Sequence, residues 1–247
     1  MLLEEGTAVM EKDKIDISVV IPVYNEEKII SSSIDELHRM LLGFGKSFEI
    51  IISENGSTDR TRELLSEIAG RYKEVKYLTS DTPDYGAALK KGILQARGDI
   101  VICDEIDLGI YDFYKNSIEI LTSGEAELVI GSKLISGAKD ERPLLRHIAT
   151  IIINFLLRLL LGFKGSDTHG LKSFRRERLL PIVNKCIVTK DLFASEFVIR
   201  AERENIKIKE IPLDVKEKRK PSINLFKRVP NVLRNLAKLF YALRIKG

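Results

Sequence analysis

Cysteine is nearly absent from this chain of 247 residues: Cys103 and Cys186 are the only two, and they form no C-x-x-C spacing. That excludes a disulfide framework and fits a reducing compartment. The opening Met1-Leu2-Leu3-Glu4-Glu5 has neither a basic start nor a long apolar run, so no signal peptide is expected and the chain reads as cytoplasmic. Long hydrophobic runs are missing too. The strongest, Ile148 to Phe163, is too short and too interrupted to read as a membrane span. Internal repeats and low-complexity tracts are lacking as well. What is present, 44% hydrophobic and 31% charged residues, suffices for one well-packed α/β domain with an appendage.

Charge is unevenly spread. The net charge is +4, yet residues 216 to 247 hold ten Lys or Arg against the single acid Glu217, a local +9 that leaves −5 on the other 215 residues. An acidic body with a basic tail suits a partner such as anionic lipid or nucleic acid. The tail has few aromatics for base stacking and no nucleic-acid motif, so a nucleic-acid partner is not expected. Val229, Val232, Leu233, Leu236, Leu239, Phe240 and Leu243 recur at helical spacing with Arg228, Arg234, Lys238 and Arg244 interspersed, and Pro230 suits a first turn. This predicts a basic amphipathic helix over 223–247 that docks on its own domain or lies on an anionic membrane surface. Residues 1–14 read as a flexible leader and 15–222 as the main domain.

Short β-rich runs alternate with helical patterns. The runs are Ile17 to Ile21, Phe48 to Ile52, Val75 to Leu78, Ile100 to Cys103 and Leu128 to Ile130. Nearly continuous apolar composition indicates strands covered on both faces, hence a parallel sheet of βαβ units. Helices are expected from about Glu27 to Leu42, Asp59 to Tyr72 and Gly86 to Ala96, with Ser57, Thr58 and Asp59 as N-cap candidates for the second. In Ile148 to Phe163, Thr150, Asn154 and Arg158 recur every four residues along one helical stripe. That helix either packs in the core or lies partly in a lipid interface.

Polar segments follow the first, second and fourth strands: Pro22-Val23-Tyr24-Asn25-Glu26, Glu54-Asn55-Gly56-Ser57-Thr58-Asp59 and Asp104-Glu105-Ile106-Asp107. In a parallel sheet all three lie along the carboxyl edge, where open α/β sheets bind ligands. Gly56 permits a tight turn, Ser57 and Thr58 supply hydroxyls, and carboxylates can accept from a ribose or a base. Glu105 and Asp107 are spaced by two, so in extended chain they point the same way and suit a hard cation such as Mg²⁺ or Mn²⁺.

Further along come Gly86-Ala87-Ala88-Leu89, then Ala96-Arg97-Gly98-Asp99-Ile100-Val101, Glu105-Ile106-Asp107-Leu108, Gly131-Ser132-Lys133 and Asp167 to Phe174. In this order, and over roughly residues 15 to 220, the chain resembles the inverting glycosyltransferases of family 2, with the GT-A fold, and among them the dolichyl- or polyprenyl-phosphate sugar synthases. The resemblance implies a Rossmann-like, mostly parallel sheet flanked by helices. It implies nucleotide-sugar binding by Pro22, Tyr24, Asn25, Glu26, Glu54, Asn55, Gly56, Ser57, Asp59, Gly86 and Asp104. Glu105 and Asp107 are the implied metal-binding and catalytic carboxylates, for Mg²⁺ or Mn²⁺. Lys133, Lys172, Arg219 and Ser222 are the implied acceptor or phosphate contacts. The chain departs from the family pattern at Glu54 and Glu105, where aspartate is usual, at Asn55, which replaces a second aspartate, and at Asp84, where glycine is common. Arg219-Lys220-Pro221-Ser222 matches the family's C-terminal Arg-x-x-Gly-x-Ser-Lys only loosely.

The expected activity is transfer of a hexose from a UDP- or GDP-sugar to a polyprenyl or dolichyl phosphate, metal-assisted and with inversion, at the cytoplasmic face of a membrane. A phosphate monoester is already anionic and needs little general-base help; His169 is the nearest base candidate for a hydroxyl acceptor. The alternatives are a soluble transferase acting on a sugar or protein hydroxyl and a non-catalytic nucleotide-sugar-binding relative.

Overall fold

The computed structural model of the chain describes residues 14–138, 144–214 and 225–246. Seven strands form one sheet in the order β3-β2-β1-β4-β6-β5-β7. The strands are β1 (Ile17–Val23), β2 (Phe48–Glu54), β3 (Val75–Leu78), β4 (Ile100–Cys103), β5 (Leu128–Ser132), β6 (Lys172–Arg175) and β7 (Ile208–Pro212). β1 pairs in parallel with β2 and β4, β2 with β3, and β5 with β7. The sheet is not wholly parallel: β6 runs antiparallel to both β4 and β5 and separates them.

Both faces of β1 are buried, which is why its sequence is apolar without alternation. Ile17, Val19, Ile21 and Val23 pack on one side with α1 (Ile30–Leu42), α2 (Thr61–Arg71) and α4 (Tyr111–Ser123). Val20, with Val101 and Cys103 of β4, packs on the other with α3 (Tyr85–Gln95), α5 (Leu144–Leu161), α6 (Arg176–Lys185), α7 (Phe193–Arg203) and α8 (Leu225–Phe240). A π-helical turn, Tyr241–Ile245, follows α8.

α1 begins three residues later than its pattern predicts, because Glu27 is tied to the β2 loop. Glu27 N donates to Asp59 Oδ2 (3.1 Å) and Arg60 N to Glu27 Oε2 (3.1 Å). The N-cap of α2 is Arg60, not Ser57, Thr58 or Asp59, and its side chain caps nothing; Asp59, one residue before it, accepts from Thr61 N at 3.0 Å. α8 starts at Leu225, so Pro230 lies inside the helix rather than in its first turn. In α5, Thr150 and Asn154 are buried while Arg158 stays at the surface and donates to Gly165 O (3.0 Å). The leader, except Lys14, and the sites named at Arg219 and Ser222 lie outside the described residues.

At the amino edge of the sheet, Glu49 is buried in β2 and accepts from Ser18 Oγ (2.8 Å), Arg97 N (2.8 Å) and Lys76 Nζ (3.0 Å). Burial alone would raise this carboxyl; the Ser18 hydroxyl, the Arg97 amide and Lys76 outweigh it and hold it below the ordinary glutamate value. A depressed folded value gives stability that is present above the unfolded value, about 4.3, and is lost as pH falls through the folded one. Glu49→Gln is therefore expected to lower the urea midpoint near neutral pH, with the gap to wild type closing on acidification. A gap independent of pH would refute this.

Candidate active site

The β1 and β2 loops are stapled together at the carboxyl edge. Asn55 N continues the ladder onto Val23 O (3.0 Å). Asn25 adopts a left-handed conformation (φ 56°). Its N–H donates to Ser57 Oγ (3.0 Å) and its Oδ1 accepts from Thr58 N (2.8 Å). Glu26 N donates to Thr61 Oγ1 at 2.8 Å. Gly56 turns with φ 75° against Pro83 and Asp81, where a Cβ would be crowded at 3.1 Å. Pro22 is buried in β1 and Tyr24 is half-buried beside the loop.

Glu54 is 1% exposed. Its Oε2 accepts from Arg62 Nε (2.7 Å) and its Oε1 from Ser57 N. Arg62, on α2, also reaches Ser80 O (2.5 Å). Its part was not apparent from sequence, since nothing in a helical Arg eight residues on marks it as a carboxylate's partner. Asp59 is equally occupied, with Thr61 and Glu27 on its two oxygens. Gly86, in the first turn of α3, is in backbone contact with Thr189: a Cβ there would meet Thr189 O at 1.6 Å.

After β4, Asp104 N still pairs with Val20 O (3.0 Å), but residues 105–108 form a turn closed by Leu108 N to Glu105 O (3.0 Å). The carboxylates of Glu105 and Asp107 are therefore presented from a turn, not from the extended chain that period-two spacing assumes. Glu105 is exposed and Asp107 half-buried. Asp104 points inward, accepting from Tyr114 Oη (2.6 Å) and Glu105 N (2.7 Å). Burial pushes its carboxyl up to about 7 against the pull of those two bonds, and the charges of Glu105 and Asp107 add to the rise. Three carboxylates thus crowd one turn.

Among the described residues no group of three or more His, Cys, Asp or Glu side chains is arranged to hold a metal ion. Two hard oxygen donors at a loop still fit Mg²⁺ or Mn²⁺, because such ions are held by one or two carboxylates and complete their shell with substrate phosphate and water.

Beside this turn, Lys133 Nζ pairs with Asp167 Oδ2 at 3.0 Å, both buried. Asp167 Oδ1 accepts from His169 N (2.8 Å). Burial would raise Asp167, yet the Lys133 charge and the His169 amide hold it well below the carboxylate range. Lys172, opposite Cys103 in the β4·β6 register, is buried and donates to Gly170 O (2.8 Å). Burial lowers its ammonium to about 8. Gly170 lies against Gly131, where a Cβ would stand 1.6 Å from the Gly131 carbonyl oxygen. His169 is exposed, with Nδ1 3.0 Å from Thr168 Oγ1.

Residues 18–180 match the family described as Glycosyl transferase family 2. The chain is 25% identical to glycosyltransferase AglD of Haloferax volcanii over 237 residues, 94% of this chain and 38% of that protein. It is 32% identical to a dolichyl-phosphate beta-glucosyltransferase of Trichomonas vaginalis over 215 residues, 81% of this chain and 66% of that protein. It therefore spans little more than a third of the first relative's length and just under two thirds of the second's. In fold it resembles glucosyl-3-phosphoglycerate synthase from Mycobacterium tuberculosis, solved with Mn²⁺, UDP-glucose and phosphoglyceric acid. The TM-score is 0.65, at 21% identity, covering 92% of this chain and 79% of that one. With the matched region running from β1 through the turn after β4 and into α6, this chain belongs to glycosyl transferase family 2.

Proposed function

We propose that the chain transfers a hexose from a UDP- or GDP-sugar to a polyprenyl or dolichyl phosphate, with inversion, at the cytoplasmic face of a membrane. The observation that carries this is the joining of the 22–26 and 54–59 segments into one hydrogen-bonded platform, with Glu105 and Asp107 presented from the turn on the neighbouring strand. The dolichyl-phosphate glucosyltransferase relative supports the acceptor class, and the UDP-glucose and Mn²⁺ complex of the structural neighbour supports the donor and the cation.

Glu105 and Asp107 would hold a divalent cation, which when bound offsets the charge developing on the departing diphosphate. The platform of Asn25, Asn55, Ser57 and Thr58 holds the nucleoside end, so the anomeric carbon is oriented before attack. Glu54, neutralised by Arg62, keeps the turn in shape beneath it. The acceptor phosphate attacks as an anion, without a base. Lys133 and Lys172 carry two positive charges against the one of Asp167, and their surplus favours a phosphate near the 131–133 and 170–172 segments.

α5 supports the membrane assignment through its outer face: Leu157 and Leu161 are buried in the core, yet the side turned away from it is apolar as well. Its polar Thr150 and Asn154 are buried, while Leu144, Ile148, Ile152, Phe155 and Leu159 are exposed. Among the described residues no helix is long and apolar enough to cross a membrane. Such a face fits the interfacial layer of a bilayer, and the absence of any acid between residues 144 and 165 or between 218 and 247 favours anionic lipid.

The test is radiolabelled glycolipid formation from UDP-glucose, then other UDP- and GDP-sugars, with polyprenyl phosphate in anionic vesicles, with Mn²⁺ or chelator. Metal-dependent product is expected. Ile152→Asp with Phe155→Asp should cut vesicle binding and product at least tenfold while turnover on a short, soluble prenyl phosphate persists. Donor hydrolysis or binding without glycolipid would overturn the acceptor class.

A further inference from the structure

The segment 186–192 is gripped from three helices, and the grip continues into the donor platform. From α7, buried Glu196 accepts from Ile187 N (2.9 Å) and Val188 N (2.7 Å), with Arg200 Nε at 2.7 Å balancing its charge. From α8, Asn231 Nδ2 donates to Asp191 Oδ2 (2.5 Å), Asn235 Nδ2 to Lys190 O (2.6 Å) and Lys238 Nζ to Ile187 O (3.2 Å). From α3, Lys90 Nζ donates to Cys186 O (2.7 Å), and Gly86 presses on the Thr189 carbonyl.

Two bonds then connect this segment to the β2 loop. Thr189 Oγ1 donates to Asp84 Oδ2 (2.7 Å), and Asp84 N donates to Asn55 Oδ1 (2.6 Å). Asp84 Oδ1 is meanwhile the N-cap of α3, accepting from Ala87 N at 2.9 Å. Asn55 and Asp84, two of the positions where the chain departs from the family pattern, are thus in direct contact. The contact runs through the Asp84 main chain: its N–H is donated to the Asn55 side-chain oxygen, while the two Asp84 carboxylate oxygens are taken by Ala87 N and Thr189 Oγ1. With its Oδ1 taken by Asp84, the Asn55 carboxamide has its amino end fixed by elimination.

We propose that Thr189 and Asp84 are positioning residues for nucleotide binding, and that α8, by bracing the 186–192 segment, sets donor affinity without touching the donor. This rests on the donor-platform reading given above. A turn held in one arrangement before binding loses less freedom when the ligand arrives.

The test titrates UDP and GDP with Mn²⁺ into wild type, Thr189→Val, Thr189→Ser and the pair Asn231→Ala with Asn235→Ala, alongside amide hydrogen exchange across residues 54–59 without ligand. Losing one hydrogen bond to a charged group corresponds to roughly a tenfold weakening. Thr189→Val and the paired variant should weaken nucleotide binding about five- to tenfold, raise the donor KM to match with kcat unchanged, and speed exchange at 54–59. Thr189→Ser, which keeps the hydroxyl, should restore all three. Wild-type affinity and exchange in Thr189→Val, even with a lower melting temperature, overturn the proposal. If wild type binds neither nucleotide, the donor-platform reading fails, and the exchange comparison alone decides whether the relay orders the turn.

Discussion

Asp107→Ala is expected to abolish metal-dependent glycosyl transfer, lowering kcat by at least about 100-fold, because a carboxylate that holds a cation at the leaving group contributes several kcal/mol to the transition state. The fold should be untouched. Asp107 is half-buried in a turn, not in either hydrophobic layer, so the melting temperature should match wild type within about 2 °C. The same variant should lose the Mn²⁺ dependence of nucleotide binding in calorimetry, a readout that does not rely on turnover. Unchanged kcat with unchanged Mn²⁺ dependence would remove Asp107 from the site. Glu105 shares the turn but is exposed. Its longer side chain has one more methylene to order on binding, so Glu105→Asp should retain measurable activity where Asp107→Ala does not.

The largest stability effect is expected at Lys133 and Asp167. Their ion pair is buried on both sides, and removing one partner leaves the other charged and unpaired in a low-dielectric environment. Asp167→Ala should cost roughly 3–5 kcal/mol, which for a chain of this size is a melting temperature lower by about 10 °C. Adding Lys133→Met should recover much of that loss, since the stranded ammonium is then gone. The pH dependence follows from the depressed Asp167 carboxyl. Its contribution is present above the unfolded aspartate value and fades as the solution is acidified toward the folded one. A loss under about 1 kcal/mol in the single variant, or no recovery in the double, would show that the pair is effectively solvated.

Much of the architecture could be read from the amino acids because two-sided burial leaves a plain mark. Ile17 to Ile21, Phe48 to Ile52 and Ile100 to Cys103 are apolar almost throughout, and each is a strand. β6 left no such mark. Lys172-Ser173-Phe174-Arg175 has a single apolar residue and is charged at both ends, and it is a strand because β4 and β5 pair with it from either side, a contact between distant segments. β7 ends on Pro212 at the sheet's edge, where a missing donor is tolerated. At the site, the convergence of the 22–26, 54–59 and 104–107 segments was legible from strand order. The direction of Asp104 was not. Its inward turn depends on the Tyr114 hydroxyl, which one turn of α4 brings back beneath the loop. The Asn55–Asp84–Thr189 relay was likewise hidden, since it joins residues more than a hundred positions apart that only packing brings together.

The antiparallel strand in the middle of the sheet also bears on how the protein is made. As the chain leaves the ribosome, β1, β2, β3 and β4 can pair with one another as soon as they emerge. β5 has no neighbour yet, because its two partners are β6 and β7, both downstream. Until Lys172–Arg175 is synthesised, an apolar strand with two open edges and the apolar helix α5 wait together in an unfinished nascent chain. That interval is when aggregation competes most strongly with folding, and β6 is the strand whose arrival closes it.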